Sequence, residues 1–486
     1  MFLCSILVPI LWGLALLLLP ELKNRKVLVA LTGLGLVAAA ACGLLTVFAR
    51  PEALQLFSFG KNLSVFFRVD DLGCLFAVVV SLVWLLSGIY AFEYMKHERE
   101  EKRYFGFYVM VYGVLHGLVF AGNMVTFYLF YELMTLLSMP LILHNRSREA
   151  VMGGLKYLFY SLFGAYMVLF GLFFLNRYAL TLEFLPGGVL DPAAVAGHET
   201  LLLWVAFSMI VGFGVKAGMF PLHGWLPTAH PVAPAPASAV MSGIVVKMGV
   251  LGMIRVVYYL VGADFLRGSW VQTVWLILSL VTVFMGSMRA YREKGLKKRL
   301  AYSTVSQVSY VIFGLMLLNP MALQGALYQA IFHAIAKNAL FMAAGAIIYK
   351  THLTQVSQMR GIGVAYPITL WCFALASLSL VGIPPSGGFV SKWMLAQGAM
   401  DMLRYPGITI LMLSALLTAG YLLPLVTNGF FPGKDFSRQQ PYTTFKQKDT
   451  WLMWISMSVL AVAVIVLGMF PGLLEPAVQA IIGPLF

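Results

Sequence analysis

Apolar segments about as long as a membrane crossing recur along almost the whole chain, from residue 2 to residue 472. An α-helix needs about 20 consecutive, mainly apolar residues to cross a bilayer. Hydrophobic residues make up 60% of the sequence and charged residues only 11%, whereas a soluble domain carries roughly 25% charged residues. No soluble block separates the apolar segments. We therefore expect one integral membrane domain, residues 1–486, and not a soluble domain with a membrane anchor.

The apolar segments predict an all-α polytopic membrane protein with about fourteen transmembrane helices. The predicted spans are 2–20, 27–48, 70–93, 104–121, 124–143, 152–176, 200–220, 234–262, 270–288, 300–318, 323–349, 365–400 with an internal break, 405–430 and 451–472. A membrane β-barrel is excluded, because its strands would alternate in polarity over roughly ten residues. The first segment has no basic flank and no small-residue cleavage site, so we interpret it as a span and not as a signal peptide.

Lysines and arginines are concentrated in the odd-numbered loops between these spans, most densely over residues 289–299. The positive-inside rule then places the odd loops in the cytoplasm and both termini outside it. We expect a multi-pass protein of the inner (cytoplasmic) membrane. The net charge of +14 is spread over short loops and does not form one basic face, so nucleic acid is not an expected partner.

Five charged residues lie inside segments that otherwise consist of membrane-spanning sequence: Glu132, Lys216, Lys247, Lys337 and Lys392. A charge at the bilayer centre costs about 2.5–3.5 kcal/mol on insertion scales. Side chains that cost this much are usually retained for transport or proton transfer. The pattern therefore predicts a relay of titratable groups inside the membrane. The alternatives are a static buried ion pair for Glu132 and Lys216, and snorkelling to the interface for the other lysines.

Two spans contain sequence that interrupts a helix, GFGVKAGMFPLHGWLPTAHPVAPAP and SLVGIPPSGGFVSKWML. Proline removes a backbone donor and glycine weakens a helix. Lys216 precedes the first interruption and Lys392 follows the second. Interrupted helices at matching positions indicate inverted repeats with an ion site near the midplane, and we assign the two five-helix repeats to 104–262 and 270–430. His223 and His230 flank the first break as accessory candidates, with capping of the loop as the alternative.

Several segments resemble the antiporter-like proton-pumping subunits of respiratory complex I, a family that includes the large subunits of Mrp-type cation/proton antiporters and of membrane-bound hydrogenases. The longest is KAGMFPLHGWLPTAHPVAPAPASAVMSGIVVKMGVLGMIR. Further matches, in family order over residues 70–400, are FYLFYELMTLLS, RLAYSTVSQVSYVIFGL, FHAIAKNALFMAAGAI and GIPPSGGFVSKW. The resemblance implies fourteen helices with two inverted five-helix repeats, each forming a half-channel.

The resemblance also implies a role for each charged position. Glu132 and Lys216 match the ion pair of the fifth and seventh helices. Lys247 matches the connecting lysine of the eighth helix, and His333 and Lys337 match the relay of the eleventh. Lys392 matches the terminal site of the twelfth helix, where some family members carry glutamate.

Lysine is suited to such a relay because its protonation depends on its surroundings. In water its pKa is about 10.4, and burial in a medium of low dielectric constant disfavours the charged form. A carboxylate about 4 Å away opposes that effect by about 4 kcal/mol at an effective dielectric constant near 20. Movement of Glu132 relative to Lys216 would thus switch the lysine between holding and releasing a proton. His333 and Lys337 are four residues apart and share one helix face, and histidine exchanges protons near neutral pH.

The sequence contains no Walker A motif, no dinucleotide-binding fingerprint and no cysteine cluster. We expect no cofactor, metal or catalytic residue in this chain, so redox chemistry would belong to partner subunits. One hypothesis is a proton-pumping subunit of a complex I-like or hydrogenase-like respiratory assembly. The others are a D-type subunit of an Mrp Na⁺/H⁺ antiporter without redox partners, and an independent solute transporter. The expected partners are other membrane subunits, including homologous antiporter-like ones, the lipid bilayer and protons, with Na⁺ left open.

Overall fold

The computed structural model describes residues 1–20, 24–60, 62–433 and 451–486, and it is mainly helical. The helices within these ranges are α1 (Phe2–Leu18), α2 (Arg25–Ala49), α3 (Asp71–Tyr94), α4 (Glu101–Val119), α5 (Met124–Ile142), α6 (Arg148–Tyr178), α7 (Pro192–Val195), α8 (Glu199–Ala217), α9 (Leu226–Val232), α10 (Ala235–Val240), α11 (Val246–Ile254), α12 (Ala263–Leu266), α13 (Trp270–Arg292), α14 (Leu296–Met316), α15 (Pro320–Thr351), α16 (Ile362–Ala365), α17 (Pro367–Val381), α18 (Gly387–Asp401), α19 (Tyr405–Phe430), α20 (Trp451–Met469) and α21 (Glu475–Ile482). Two π-helical turns, Met241–Val245 and Arg255–Leu260, make 235–260 one continuous helical segment with α10 and α11.

Ten helices in the described ranges are long and apolar enough to cross a membrane, so the chain is a multi-pass membrane protein. Each segment predicted to be helical coincides with an observed helix, to within a few residues. Two shorter apolar helices, α1 and α17, add to the ten. α14 is buried along most of its length but carries serines, a glutamine and a basic start, which lower its hydropathy. The total of about fourteen spans and the two inverted repeats stay predictions.

The prediction of an all-α fold is wrong in one detail, a small antiparallel sheet between α2 and α3. Strands β1 (Leu54–Ser58) and β2 (Ser64–Phe67) pair with Leu54 opposite Phe67 and Ser58 opposite Ser64. Both strands are rich in apolar and aromatic residues, which favour a pleated, half-buried surface. The Asn123 amide donates to the Ser64 carbonyl (2.9 Å) and so joins this hairpin to the start of α5.

The two predicted helix interruptions are present. α8 ends at Ala217, and Gly218 follows with φ +80° before the chain resumes helical structure in α9. α17 ends at Val381, and Gly382 follows with φ +89° before α18 begins at Gly387. Both ends use glycine in the left-handed conformation that commonly terminates helices. Each interruption leaves backbone carbonyls without helical partners in the interior of the bundle.

The most enclosed helices are α15 and the 235–260 segment, which lie at the centre of the bundle. α15 packs against α3, α14, α17, α18 and α20. Side chains of α3 bind it directly, since Tyr90 donates to the Met342 carbonyl (2.8 Å) and Ser87 donates to the Asn338 amide oxygen (3.1 Å). Residues of α15 are therefore shielded from lipid on most sides.

An ion pair joins the start of α3 to the end of the 235–260 segment. The Arg255 side chain, only 1% exposed, binds Asp70 through its two terminal nitrogens, Nη1 and Nη2, with Nη2 2.8 Å from Oδ1. Asp70 also caps α3 by accepting the Gly73 amide (2.8 Å). The guanidinium lies 4.5 Å from the Phe184 ring centre and 4.9 Å from that of Tyr259. This arrangement fixes the relative position of two helices that border the core.

We predict that Asp70→Asn strongly destabilises the protein, whereas Asp71→Asn does not. Removing one partner of a buried ion pair leaves an uncompensated charge and costs about 3–5 kcal/mol. Asp71 pairs with Arg50, whose side chain is 58% exposed, and exposed pairs contribute about 1 kcal/mol or less. The Tm of each purified variant in detergent tests this. Equal Tm values for the two variants would show that the Asp70 pair carries no special stability.

Candidate proton-transfer site

Lys216 lies in the last turn of α8 and is fully buried. Its ammonium donates to three hydroxyl groups, Thr135 Oγ1 (2.9 Å), Tyr157 OH (3.0 Å) and Ser161 Oγ (2.8 Å). The Tyr157 hydroxyl also binds Ser138 Oγ (2.7 Å). An ammonium group has three N–H donors, so these neutral oxygens from α5 and α6 satisfy all of them. We call this group of oxygens the hydroxyl cage.

Glu132 lies on α5, three residues before Thr135, and is half-buried. Its Oε1 is buried without a hydrogen-bond partner, although Lys216 acts on the carboxylate electrostatically. Within the described ranges, no ion pair of 4.0 Å or less joins Glu132 to Lys216. The expected pair is therefore not in contact here, because the hydroxyl cage occupies the ammonium. The switching role of Glu132 stays a prediction.

Lys247 and His333 are brought into direct contact at the centre of the bundle. Lys247, 3% exposed on α11, donates to the Ser242 carbonyl (2.6 Å) and to His333 Nδ1 (2.5 Å). Ser242 belongs to the π-helical turn that precedes α11, and such turns are frequent at functional sites. The other ring nitrogen of His333, Nε2, is buried without a hydrogen-bond partner among the described residues.

Lys337 completes this central cluster of Lys247, His333 and Lys337. It is fully buried on α15, one turn after His333, and donates to the Leu300 carbonyl of α14 (2.9 Å). None of the salt bridges in the described part of the chain involves these two lysines. The cluster thus holds two buried amines and an imidazole against neutral oxygens.

Lys392 lies on α18, just after the second interruption, and is half-buried. Its ammonium donates to the carbonyls of Leu380 and Val381 (3.0 Å for Val381), the last residues of α17. It also lies 5.0 Å from the ring centre of Tyr310. The lysine therefore turns toward the interrupted helix and caps carbonyls that the break leaves free. This arrangement argues against snorkelling.

The two accessory histidines have different surroundings. His230 is fully buried, stacks on Phe341 of α15 (4.9 Å between ring centres), and has neither ring nitrogen hydrogen-bonded to a described residue. Phe341 lies one turn after Lys337 on α15. His223 is half-buried at the first interruption and stacks on Phe220 (5.8 Å). His230 thus borders the central cluster, whereas His223 is not among the groups the fold brings to it.

The oxygens that hold the lysines were not predicted. Thr135, Tyr157 and Ser161 bind Lys216 from positions 55 to 81 residues away in the sequence, and serine and threonine are frequent in membrane helices without such a role. The sequence contains one indication of the cage: Tyr157 and Ser161 are four residues apart and therefore share a face of α6. The carbonyls that bind Lys247 and Lys337 leave no signal in the sequence, whereas the interruption that frees the carbonyls near Lys392 was predicted from its glycines and prolines.

Comparison with known proteins gives the chain a family. Residues 121–418 match the family profile described as "NADH:quinone oxidoreductase/Mrp antiporter, TM", and residues 57–105 match "NADH-Ubiquinone oxidoreductase (complex I), chain 5 N-terminus". The chain belongs to the NADH:quinone oxidoreductase/Mrp antiporter membrane family. It is an antiporter-like membrane subunit, as the sequence motifs predicted.

Relatives in this family come from three kinds of assembly. The chain is 30% identical over 412 residues to the N-type subunit of the NADH-quinone oxidoreductase of Desulforudis audaxviator, covering 83% of this chain and 81% of the relative. It is 26% identical over 440 residues to the D-type subunit of the Na⁺/H⁺ antiporter of Bacillus subtilis, covering 90% and 88%. It is 30% identical over 356 residues to hydrogenase-4 component B of Escherichia coli, covering 71% of this chain and 52% of that protein.

Solved structures share the fold over the whole chain. A chain of the Mrp complex from a Dietzia species has a TM-score of 0.85 at 20% identity, with 100% of this chain and 97% of that chain covered. A chain of respiratory complex I from Thermus thermophilus has a TM-score of 0.82 at 23% identity, with 100% of both chains covered. The likeness is one of architecture, in agreement with the family assignment.

We predict that Tyr157→Phe lowers the Tm and that Tyr160→Phe on the same helix does not. The first change leaves a donor of the buried Lys216 without its acceptor, which costs about 1–3 kcal/mol. Tyr160 is only partly buried and no hydrogen bond of its hydroxyl is seen in the described structure. Thermal unfolding of the two purified variants measures the difference. A Tyr157→Phe variant as stable as the control would mean that the cage does not hold Lys216 tightly.

Proposed function

We propose that this chain is the proton-translocating membrane subunit of a complex I-like or hydrogenase-like respiratory assembly. Redox reactions in partner subunits would drive ion pumping through Glu132, Lys216, Lys247, His333, Lys337 and Lys392. The observation that carries the proposal is the contact of Lys247 with His333, with Lys337 one turn away, in the most enclosed part of the bundle. Buried titratable groups in hydrogen-bond contact are what proton transfer across a membrane requires.

The geometry suggests how a proton crosses the centre. Lys247 donates to Nδ1 of His333, so transfer of that proton gives a neutral amine and an imidazolium. The imidazolium then releases the proton on Nε2, which has no hydrogen-bond partner among the described residues, to a water molecule, and the ring is left neutral with its proton on Nδ1. The proton has moved from one side of the ring to the other, and the starting state returns when Lys247 gains a new proton and the ring goes back to the tautomer protonated on Nε2, by rotation or by proton exchange. Neutral oxygens around the lysines stabilise the ammonium without holding it permanently charged.

We further propose the finer architecture, about fourteen spans with inverted repeats over 104–262 and 270–430. Its support is that each proposed repeat contains one interrupted helix that ends on a left-handed glycine, with a lysine of the relay beside the break. Inverted repeats with interrupted helices are a common design of membrane transporters. We assign no cofactor, metal or catalytic residue to the chain itself.

Partner subunits are proposed to cover the outer face of α5 and α6. Glu132 is half-buried there, next to Leu129 and Leu133, which are 42% and 41% exposed. A carboxylate at membrane depth is unfavourable against lipid, so a neighbouring protein is the better cover. The similar chains of the Mrp complex and complex I come from multi-subunit assemblies. We place the protein in the inner membrane with both termini outside the cytoplasm, carrying protons, with Na⁺ left open.

The alternative function is a D-type subunit of an Mrp Na⁺/H⁺ antiporter without redox partners. The relationship to the D-type antiporter protein of B. subtilis covers 90% of this chain, and the Mrp structure has a TM-score of 0.85. Affinity purification of the tagged chain from native membranes separates the two functions. Co-purifying iron–sulfur subunits, detected by electron paramagnetic resonance and mass spectrometry, support the redox assembly, and their absence from an intact complex supports the antiporter.

We predict that Glu132→Gln assembles but loses most transport. The change keeps the size of the side chain and removes the charge that acts on Lys216. The matched control is Glu149→Gln, an exposed position in the first turn of α6, which should retain transport. Proton pumping by the whole complex in proteoliposomes is the measurement. Normal pumping by Glu132→Gln would show that its charge has no role in transport.

We predict that Lys337→Arg fails nearly as badly as Lys337→Ala. Arginine keeps the positive charge but does not deprotonate in proteins, so it cannot exchange a proton with the central cluster. Lys298→Arg, an exposed site paired with Glu293, is the control and should pump normally. The same proteoliposome assay applies. Pumping by Lys337→Arg at the wild-type rate would mean that position 337 supplies a fixed charge and not a proton.

A further inference from the structure

A chain of uncharged polar side chains connects α15, which carries His333 and Lys337, with α18, which carries Lys392. Gln329 lies one turn before His333, so Gln329, His333 and Lys337 form one stripe along α15. The Gln329 side chain is 2% exposed, and its Oε1 accepts the hydroxyl of Ser391 (2.6 Å). Ser391 directly precedes Lys392 in α18. The hydrogen bond therefore ties the relay helix to the helix of the terminal lysine.

A second amide holds Gln329 in this orientation. Gln329 Nε2 donates to Gln307 Oε1 (2.9 Å), and Gln307 Nε2 reaches Thr418 Oγ1 (3.5 Å). Thr418 donates in turn to the Ser414 carbonyl (2.7 Å) of α19. The four side chains of this network are at most 2% exposed: Gln307, Gln329, Ser391 and Thr418. The network thus crosses four helices, α14, α15, α18 and α19, with no charged member.

The network lies next to both the central cluster and Lys392. Ser391, which binds Gln329 one turn before His333, directly precedes Lys392 in α18. The Lys392 ammonium itself binds the carbonyls that end α17. Its distance from the central cluster depends on how α18 sits against α15. The side-chain hydrogen bond between Gln329 and Ser391 fixes that packing next to the lysine itself.

We propose that Gln329 is a positioning residue for proton transfer between the central cluster and Lys392. This inference rests on the proposed function. Acting through Ser391, Gln329 holds Lys392 in register with His333, and Gln307 holds Gln329. An amide suits the position because it donates and accepts at once and stays neutral at every relevant pH. A carboxylate there would bind protons or pair with the cations of the relay, and an aliphatic side chain would leave Ser391 and Gln307 without partners.

The test uses an isosteric substitution with a matched control. Gln329→Glu introduces a carboxylate among helices that carry these titratable groups: His333 and Lys337 on α15, Lys392 on α18, Lys247 on α11 and Tyr310 on α14. A nearby negative charge favours the protonated forms of the bases and so raises their pKa by about one unit or more. Gln324→Glu makes the same change five residues earlier on α15, at a site without a contact to Ser391. Proton pumping by the whole complex in proteoliposomes is recorded against pH.

We expect Gln329→Glu to pump several-fold more slowly at pH 7, with its half-maximal rate shifted to higher pH by about one unit, and Gln324→Glu to keep the wild-type profile. Ser391→Ala should lower the rate without moving the pH midpoint, since it removes the hydrogen bond and adds no charge. A wild-type profile for Gln329→Glu, or the same shift for Gln324→Glu, overturns the inference. So does a wild-type rate for Ser391→Ala, which decides the matter if Gln329→Glu fails to assemble.

Failure of this inference is distinguishable from failure of the proposed function. Lys337→Arg and Lys337→Ala are measured in the same preparation. If both pump normally, the relay itself is wrong and the proposal for Gln329 falls with it. If both fail while Gln329→Glu and Ser391→Ala behave as wild type, the relay stands and Gln329 has no positioning role.

Discussion

The rest of this structure depends on how a buried ammonium group finds oxygen partners in a membrane. Lys216 binds three hydroxyl groups, and Lys247, Lys337 and Lys392 bind backbone carbonyls, with His333 as a further partner of Lys247. All these partners are uncharged. A carboxylate in contact would hold a lysine permanently protonated, whereas neutral oxygens stabilise the ammonium by a smaller amount. A neutral amine in the same place stays compatible with its surroundings, so each lysine can gain and lose a proton.

The interrupted helices supply part of what these lysines need. A continuous helix satisfies its own carbonyls, and its ends or distorted turns leave some of them free to accept another donor. Lys392 uses the last carbonyls of α17, and Lys247 uses that of Ser242 in a π-helical turn. The free carbonyl and the buried ammonium would each be unfavourable alone in the bilayer interior. At Lys392 and Lys247 they satisfy one another, whereas Lys216 beside the first interruption binds hydroxyl groups and Lys337 shares the Leu300 carbonyl inside α14.

The sequence was sufficient for features that depend on neighbouring residues and insufficient for those that depend on distant ones. Apolar runs predict the helices, and glycine and proline predict both interruptions, because these effects depend on neighbouring residues. Strands β1 and β2 were missed because runs of four or five residues are too short to stand out among the apolar segments on both sides, although their residues favour a strand. The hydroxyl cage was missed because Thr135 and Lys216 lie 81 residues apart and hydroxyl groups are common. The role of Glu132 stays a prediction, and in the described structure the cage satisfies Lys216 without an ion pair of 4.0 Å or less to Glu132.

The chain holds buried cations in two ways. One suits a structural role and the other suits proton transfer. Arg255 is held by both oxygens of Asp70, and arginine stays protonated in proteins. That pair therefore acts as a fixed joint between α3 and the 235–260 segment. The relay positions instead combine lysine or histidine, which can lose a proton, with partners that carry no charge. Glu132 is the carboxylate near this relay, and its buried Oε1 has no hydrogen-bond partner in the described structure. A carboxylate that is close to a lysine but not bound to it can change the charge balance of the site by a small movement, which a fixed pair such as Asp70 and Arg255 cannot do.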